Sequence, residues 1–145
     1  YLISASDPIN LEHLLSKQNK QWVHVPKDTR LGHVHLQTNS IDESIDFYVN
    51  KLGFEIQTKV PSAVFISKNS YHHDLAFNTW NGQGLSPARL DQISMNYFAF
   101  TTDNLDYYKE IIEKEKDFLL ESNEQYIELI DKAGIKSRIY KETKK

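Results

Sequence analysis

Apolar and polar residues alternate between Leu31 and Leu36, which predicts a short β-strand. Val34 and Leu36 share one face of this strand, and His33 and His35 share the other. Packing alone rarely places two histidines side by side, whereas a neutral imidazole is the commonest protein ligand for metals. Two interpretations are open on the strand alone: ordinary surface histidines, or part of a metal site.

The pattern then changes to a helical period and back to alternation. Ser40 and Glu43 form a capping-box pattern, and apolar residues at helical spacing follow until Gly53 provides a stop signal. These signals predict a helix over roughly 42–52. Three strands are expected after it, over 54–60, 62–68 and 71–79.

After a loop with two glycines and a proline (81–90), the same order of elements recurs. A strand over 93–100 precedes a helix that is capped by Thr102 or Asp103 and runs to about Lys116. Three further strands are expected, over 118–121, 125–130 and 135–140. We expect Glu121, Glu128 and Asp131 in this region to face solvent. Two βαβββ repeats, about 31–80 and 93–141, therefore predict an α+β fold.

The ends of the chain look different from this paired module. Residues 1–30 read as a lead-in with a short helix capped near Asp7 or Asn10, in which His13 and His24 are surface residues. Residues 142–145 form a charged tail. Because the chain opens on a tyrosine rather than a methionine, we expect residues 1–30 to be a linker from an upstream module.

Composition narrows the classes of function. The net charge of the 145 residues is -3, with acids and bases interspersed, so a nucleic-acid surface is not expected. No apolar run is long enough for a membrane span, and no signal-peptide pattern is present. The absence of cysteine excludes disulfides, zinc–thiolate sites and thiol nucleophiles. We expect a globular, cytoplasmic protein.

The chain from Leu31 to Tyr140 resembles the vicinal oxygen chelate superfamily of glyoxalases, extradiol dioxygenases and bleomycin-resistance proteins. Segments 31–36, 41–48 and 52–54 are similar to its entry strand and first helix, and segment 71–80 to a strand of two-module catechol 2,3-dioxygenase-like members. The resemblance implies that both repeats form a curved mixed sheet with helices on its convex face. The sheet would cup a divalent metal, which the substrate chelates through adjacent oxygens.

The resemblance also assigns roles to single residues. His33 falls on the first metal ligand, and His73, or else His72, falls on an acid/base histidine outside the metal shell. The positions of the second ligand histidine and of the ligand glutamate hold Tyr97 and Arg138. A guanidinium stays charged, and its repulsion from a dication about 4 Å away is roughly 8 kcal/mol at an effective dielectric near 20. The metal site is therefore expected to be incomplete in this chain, with Glu128 close enough in sequence to be a substitute for the missing glutamate.

Three interpretations follow from a chain that has the first ligand histidine but holds Tyr97 and Arg138 at the other two ligand positions. In the first, an upstream module or second subunit completes the site, and the intact protein is an extradiol (catechol 2,3-) dioxygenase-like enzyme, whereas this chain alone is inactive. It would use Fe(II), or else Mn, Zn or Ni, with a catechol and O2 as substrates. In the second, a metal-free cup binds a small aromatic or anionic ligand through His35, Tyr97, Arg138, Phe77 and Trp80. In the third, the chain is a structural dimerisation module. A homo-oligomer is also expected.

Overall fold

A computed structural model describes residues 8–18, 23–87 and 94–143. The chain divides into two compact units, Tyr1–Arg30 and Leu31–Lys145. In the first unit, helix α1 (Leu11–Ser16) begins at Asn10, whose side chain accepts a hydrogen bond from the His13 amide. His13 and His24 are exposed, as expected. The alternative cap, Asp7, lies outside the described residues.

The second unit begins with a βαβββ repeat. Strand β1 (Val34–Gln37) comes first, and helix α2 (Ile41–Ser44) follows and continues as a π-helical segment (Ile45–Lys51). Three strands come after it: β2 (Glu55–Val60), β3 (Ala63–Ser67) and β4 (Leu75–Asn78). The sheet order is β1-β4-β3-β2, with β1 parallel to β4 and the other pairs antiparallel.

A second repeat has the same organisation. Helix α3 (Leu105–Glu113) is followed by a short 3-10 turn (Lys116–Phe118), and the strands are β5 (Phe98–Thr102), β6 (Leu119–Ser122), β7 (Tyr126–Ile130) and β8 (Lys136–Lys141). They form a sheet of order β5-β8-β7-β6, again with one parallel and two antiparallel pairs. The predicted α+β fold of two βαβββ repeats is confirmed.

The helix boundaries follow from capping. The Ser40 side chain accepts a hydrogen bond from the Glu43 amide at 3.3 Å, as the capping box predicts. Gly53 has a φ of 74° and ends the segment, because a left-handed residue lets the next amide, of Phe54, reach back to the Tyr48 carbonyl at 3.0 Å. The cap of α3 is Asn104, one or two residues later than predicted.

A single hydrophobic core joins the two repeats. Tyr48 and Phe77 are both fully buried and stack with their ring centroids 4.4 Å apart. The Tyr48 hydroxyl donates a hydrogen bond to the Asp131 carboxylate in the second repeat at 3.2 Å. Among the described residues, no helix is long and apolar enough to cross a membrane.

The expectation that Asp131 faces solvent is wrong, since its residue exposure is 7%. Its carboxylate accepts hydrogen bonds from protein donors instead of water. The Tyr48 hydroxyl is one donor, and the amides of Ala133 and Ile135 both donate to it at 2.9 Å. These bonds also fix the predicted turn at Gly134, where φ is 80°.

Candidate metal centre

Four histidines gather at the start of β1 and of β4. One ring nitrogen each of His33, His72 and His73 lies within 4.8 Å of those of the other two. The centroid of the His33 ring is 4.3 Å from that of His73 and 5.5 Å from that of His72. His33 and His72 are exposed and His73 is half-buried, so a small ion can reach all three. Imidazoles in such a group are chemically suited to bind one divalent metal.

The main chain of Asp74 holds His72 and His73 beside β1. The Asp74 amide donates to the Ile66 carbonyl of β3 at 2.8 Å, and its carbonyl accepts from the Val34 amide at 3.0 Å. The main chain of Asp74 therefore links β1, which follows His33, to β3, which precedes the loop that carries His72 and His73.

The loop itself explains why both histidines face His33. The segment 71–74 was predicted as part of a strand, but β4 begins only at Leu75. Adjacent residues of a strand point to opposite faces, and this constraint does not apply in the loop. In a regular strand only one of His72 and His73 could face His33, whereas the loop brings both close to it.

His35 joins the group through His73. The Nε2 atoms of the two rings are 2.9 Å apart, so one nitrogen donates a hydrogen bond to the other. The ring of Phe65, from β3, lies 5.1 Å from that of His73 and 6.1 Å from that of His35, centroid to centroid. Phe65 is not among the residues that the sequence predicts for the site. The sequence predicts that Phe65 lies in a strand, but it does not show which strand pairs with that one or in which register. The contact of Phe65 with the histidines could therefore not be predicted.

The environment keeps two of these rings neutral. Burial, and then the charges of neighbouring histidines, lower the pKa of His73 below the ordinary histidine value. Burial and His33 lower the pKa of His35 in the same way. Because only a neutral imidazole can bind a metal, both shifts favour a ligand or a proton-accepting role at pH 7.

Arg138 is at the centre of a different cluster in the second repeat. Its Nε donates to the Glu128 carboxylate, which lies directly opposite on β7, and its Nη1 donates to the Tyr140 hydroxyl at 3.2 Å. The guanidinium also lies over the rings of Tyr97 and Tyr126, at 4.1 and 4.8 Å from their centroids.

This cluster does not suit a metal ion. The side chain of Glu128 is only 12% exposed, so the expectation that it faces solvent is wrong. Its carboxylate is paired with Arg138 and is therefore not free to act as the substitute ligand considered above. The permanent charge of Arg138 repels a cation. Tyr97 and Arg138 thus contact each other rather than completing a site around His33.

Phe77 also has a different place from the one expected. It is fully buried against Tyr48, so it belongs to the core and does not line a ligand pocket. All four residues of β4, which lies between β1 and β3 in the sheet, are buried. Trp80, two residues after the strand, is exposed.

Comparison with known proteins places the chain in a family. Residues 30–127 match the Glyoxalase/Bleomycin resistance protein/Dioxygenase superfamily. The chain belongs to this superfamily. Its members commonly bind a divalent metal, and the three histidines of the first repeat are a group that could hold one.

Individual superfamily members show how far the similarity extends. Over 100 residues the chain is 29% identical to the catechol-2,3-dioxygenase of Bacillus subtilis strain 168; the match covers 67% of this chain and 35% of that protein. The chain thus spans about a third of this relative's length. A glyoxalase/dioxygenase from Nostoc punctiforme has a similar structure, with a TM-score of 0.65 and 17% identity over 86% of this chain and 99% of that chain. The structure of a lactoylglutathione lyase from Agrobacterium tumefaciens matches with a TM-score of 0.62 and 16% identity, and the match covers 80% of this chain and 96% of that chain. At these identities the two structures establish the fold alone.

Proposed function

We propose that the intact protein is a metal-dependent enzyme of the extradiol (catechol 2,3-) dioxygenase type, and that the histidine group of the first repeat holds its metal. One observation carries the proposal: His33, at the position of the first ligand in the resemblance, has His72 and His73 within ligand distance of each other and of it. The similarity to a catechol-2,3-dioxygenase supports an aromatic substrate and O2.

Each histidine has a proposed role. His33 binds the metal, for which Fe(II) is our first choice and Mn, Zn or Ni the alternatives. When bound, the metal supplies a Lewis acid and a template for adjacent oxygens of the substrate. The hydrogen-bonded pair of His35 and His73 carries the acid/base function, because both rings have a lowered pKa and can accept a proton at pH 7.

The metal-free alternative has less support. An anionic ligand needs an unpaired guanidinium, but the charge of Arg138 is already balanced by Glu128. Phe77 cannot contact a ligand because it is buried. The catechol, the upstream module or second subunit, the homo-oligomer and the cytoplasmic location stay predictions.

The test is ring cleavage by the intact protein. It is freed of metal and reconstituted anaerobically with Fe(II) or, separately, with Mn, Zn or Ni. Each sample is then mixed with catechol and O2, and both O2 consumption and the ring-opened product are measured. We expect activity that His33→Ala abolishes while His13→Ala, a change at an exposed histidine of the first unit, leaves it intact. Equal activity of the His33→Ala protein, or no activity with any of the four metals, would contradict the proposal.

A further inference from the structure

We infer that His33, His72 and His73 form a metal site that is complete within the first repeat and needs no ligand from the second repeat or another chain. This inference rests on the proposed metal dependence and changes the ligand set: His72 and His73 become ligands beside His33, so the acid/base function proposed for the pair of His35 and His73 passes to His35 alone. The resemblance implied two histidines and a glutamate from both repeats, whereas the structure groups three histidines of one repeat.

The spacing of the three nitrogens is close to what a shared ion requires. Two nitrogens that are each about 2.0–2.1 Å from one ion stand about 3–3.4 Å from each other in octahedral or tetrahedral geometry. The observed separations are at most 4.8 Å, so the two nitrogens of a pair have to approach each other by roughly 1.8 Å at most. Rotation of the exposed imidazoles of His33 and His72 supplies such a movement without shifting the strands.

The surroundings of the three rings contain a positioning partner. His35 is hydrogen-bonded to His73 and limits the rotation of that ring, as the neighbours of metal-binding histidines commonly do. The adjacent carboxylate, of Asp74, accepts a hydrogen bond from the Lys68 amide at 3.0 Å, so it supports the loop and is not part of the ligand group.

The donor set predicts which ions bind. Three imidazoles suit Zn, Cu, Ni and Fe(II), whereas Mg and Ca prefer oxygen donors. All three donors are neutral, so both positive charges of the ion stay unbalanced by the protein. The site should therefore prefer a substrate that brings negative charge through its adjacent oxygens, such as a deprotonated catechol.

The experiment is metal binding by the 145-residue chain alone. The metal-free chain is titrated with Ni²⁺ and, separately, Mg²⁺ in a calorimeter, and bound Co²⁺ is examined by its visible spectrum for nitrogen coordination. We expect one equivalent of Ni²⁺ and no binding of Mg²⁺. Loss of an outer partner of a ligand lowers metal affinity about 10–100-fold, so His33→Ala, His72→Ala and His73→Ala should each lower it by at least that factor.

Two control variants make the assignment specific. His24→Ala, at an exposed histidine of the first unit, should leave binding unchanged. His35→Ala should keep one equivalent of Ni²⁺ with an affinity reduced no more than about 100-fold. Circular dichroism of every variant checks that it is folded.

The results separate this inference from the proposed function. If the chain alone binds no Ni²⁺, or if His72→Ala binds it as well as the unchanged chain, the three-histidine site is wrong even where the intact protein cleaves catechol. If the chain binds Ni²⁺ through these residues but the intact protein has no ring-cleaving activity, the site stands and the proposed function fails.

Discussion

Arg138 is stabilised by its neighbours in the second repeat rather than by solvent. Its side chain is 23% exposed, and it is paired with Glu128, bonded to Tyr140 and stacked on Tyr97. Ion pairs at the surface contribute about 0–1 kcal/mol, and breaking a buried one costs about 3–5 kcal/mol. The pair of Arg138 and Glu128 lies between these limits.

Removing one partner of this pair should destabilise the fold. Glu128→Ala leaves a half-buried guanidinium without its counter-charge, and we expect the free energy of unfolding to fall by about 1–3 kcal/mol. Urea unfolding measures it. The matched control is the double variant Glu128→Met, Arg138→Met, which removes both charges and should lose less stability than Glu128→Met and Arg138→Met lose together as single changes. Additive losses would show that the two side chains do not stabilise each other.

At the scale of elements, the loop from Lys68 to Asp74 decides the geometry of the histidines. Asp74→Ala removes the acceptor of the Lys68 amide and should loosen the loop that carries His72 and His73. We expect the Ni²⁺ affinity of the chain to fall by about 10-fold or more, as for other supports of ligands. Asp74→Asn keeps a side-chain oxygen that can accept the bond and should restore most of the affinity. Equal Ni²⁺ affinities of the unchanged chain, Asp74→Ala and Asp74→Asn would show that this hydrogen bond of the loop does not affect the metal site.

The turn between β7 and β8 depends on a buried carboxylate. Asp131→Ala removes three accepted hydrogen bonds and leaves the buried Tyr48 hydroxyl unpaired, so we expect a loss of about 2–4 kcal/mol in the free energy of unfolding. Tyr48→Phe removes one of these bonds together with its donor and should cost about 1 kcal/mol. A loss from Asp131→Ala that is no larger than that from Tyr48→Phe would contradict this account.

The contribution of Asp131 to stability depends on pH with a defined sign. Burial is the main cause that raises the pKa of Asp131 above its ordinary value of 3.8, so the folded state holds the proton more tightly than the unfolded state. The chain therefore loses stability relative to Asp131→Asn as the pH rises through the folded pKa, and regains it as the pH falls toward 4. Urea unfolding of both proteins at pH 4 and pH 7 measures this difference. A difference that does not change with pH would rule out a raised pKa.

At the scale of the whole molecule, the two repeats of Leu31–Lys145 share one core, so a ligand of the first should stabilise the second. A metal at 100 times its dissociation constant adds about 2.7 kcal/mol to the stability of the folded state. We expect Ni²⁺ to raise the melting temperature of this unit in a single transition, seen alike by far-UV dichroism and by tyrosine absorbance. His33→Ala should show no such shift. Two separate transitions, of which only one moves, would mean that the repeats unfold independently.

The sequence predicted the order of elements because strand alternation, the Ser40 cap and the Gly53 stop are local signals. It did not predict the π-helical turns at Ile45–Lys51, since a change in hydrogen-bond register over so short a segment leaves the apolar spacing almost unchanged.

The candidate site was predicted only in part. The resemblance selected His33 as a ligand and His73, or else His72, as the acid/base histidine. The structure groups all three, because the loop before β4 follows no strand period. Phe77 was misplaced for a related reason: in β4 both faces are buried, so alternation carried no information about which residue contacts the core.

The opposed positions of Arg138 and Glu128 also limit how the second repeat can change over evolutionary time. A glutamate at position 138 alone would set two carboxylates directly opposite each other on β7 and β8. Loss of Glu128 alone would leave the guanidinium unbalanced. Both of these single changes therefore lead to a less stable protein. The residue tolerated at either position depends on the residue at the other, so the two positions can change only together without a loss of stability.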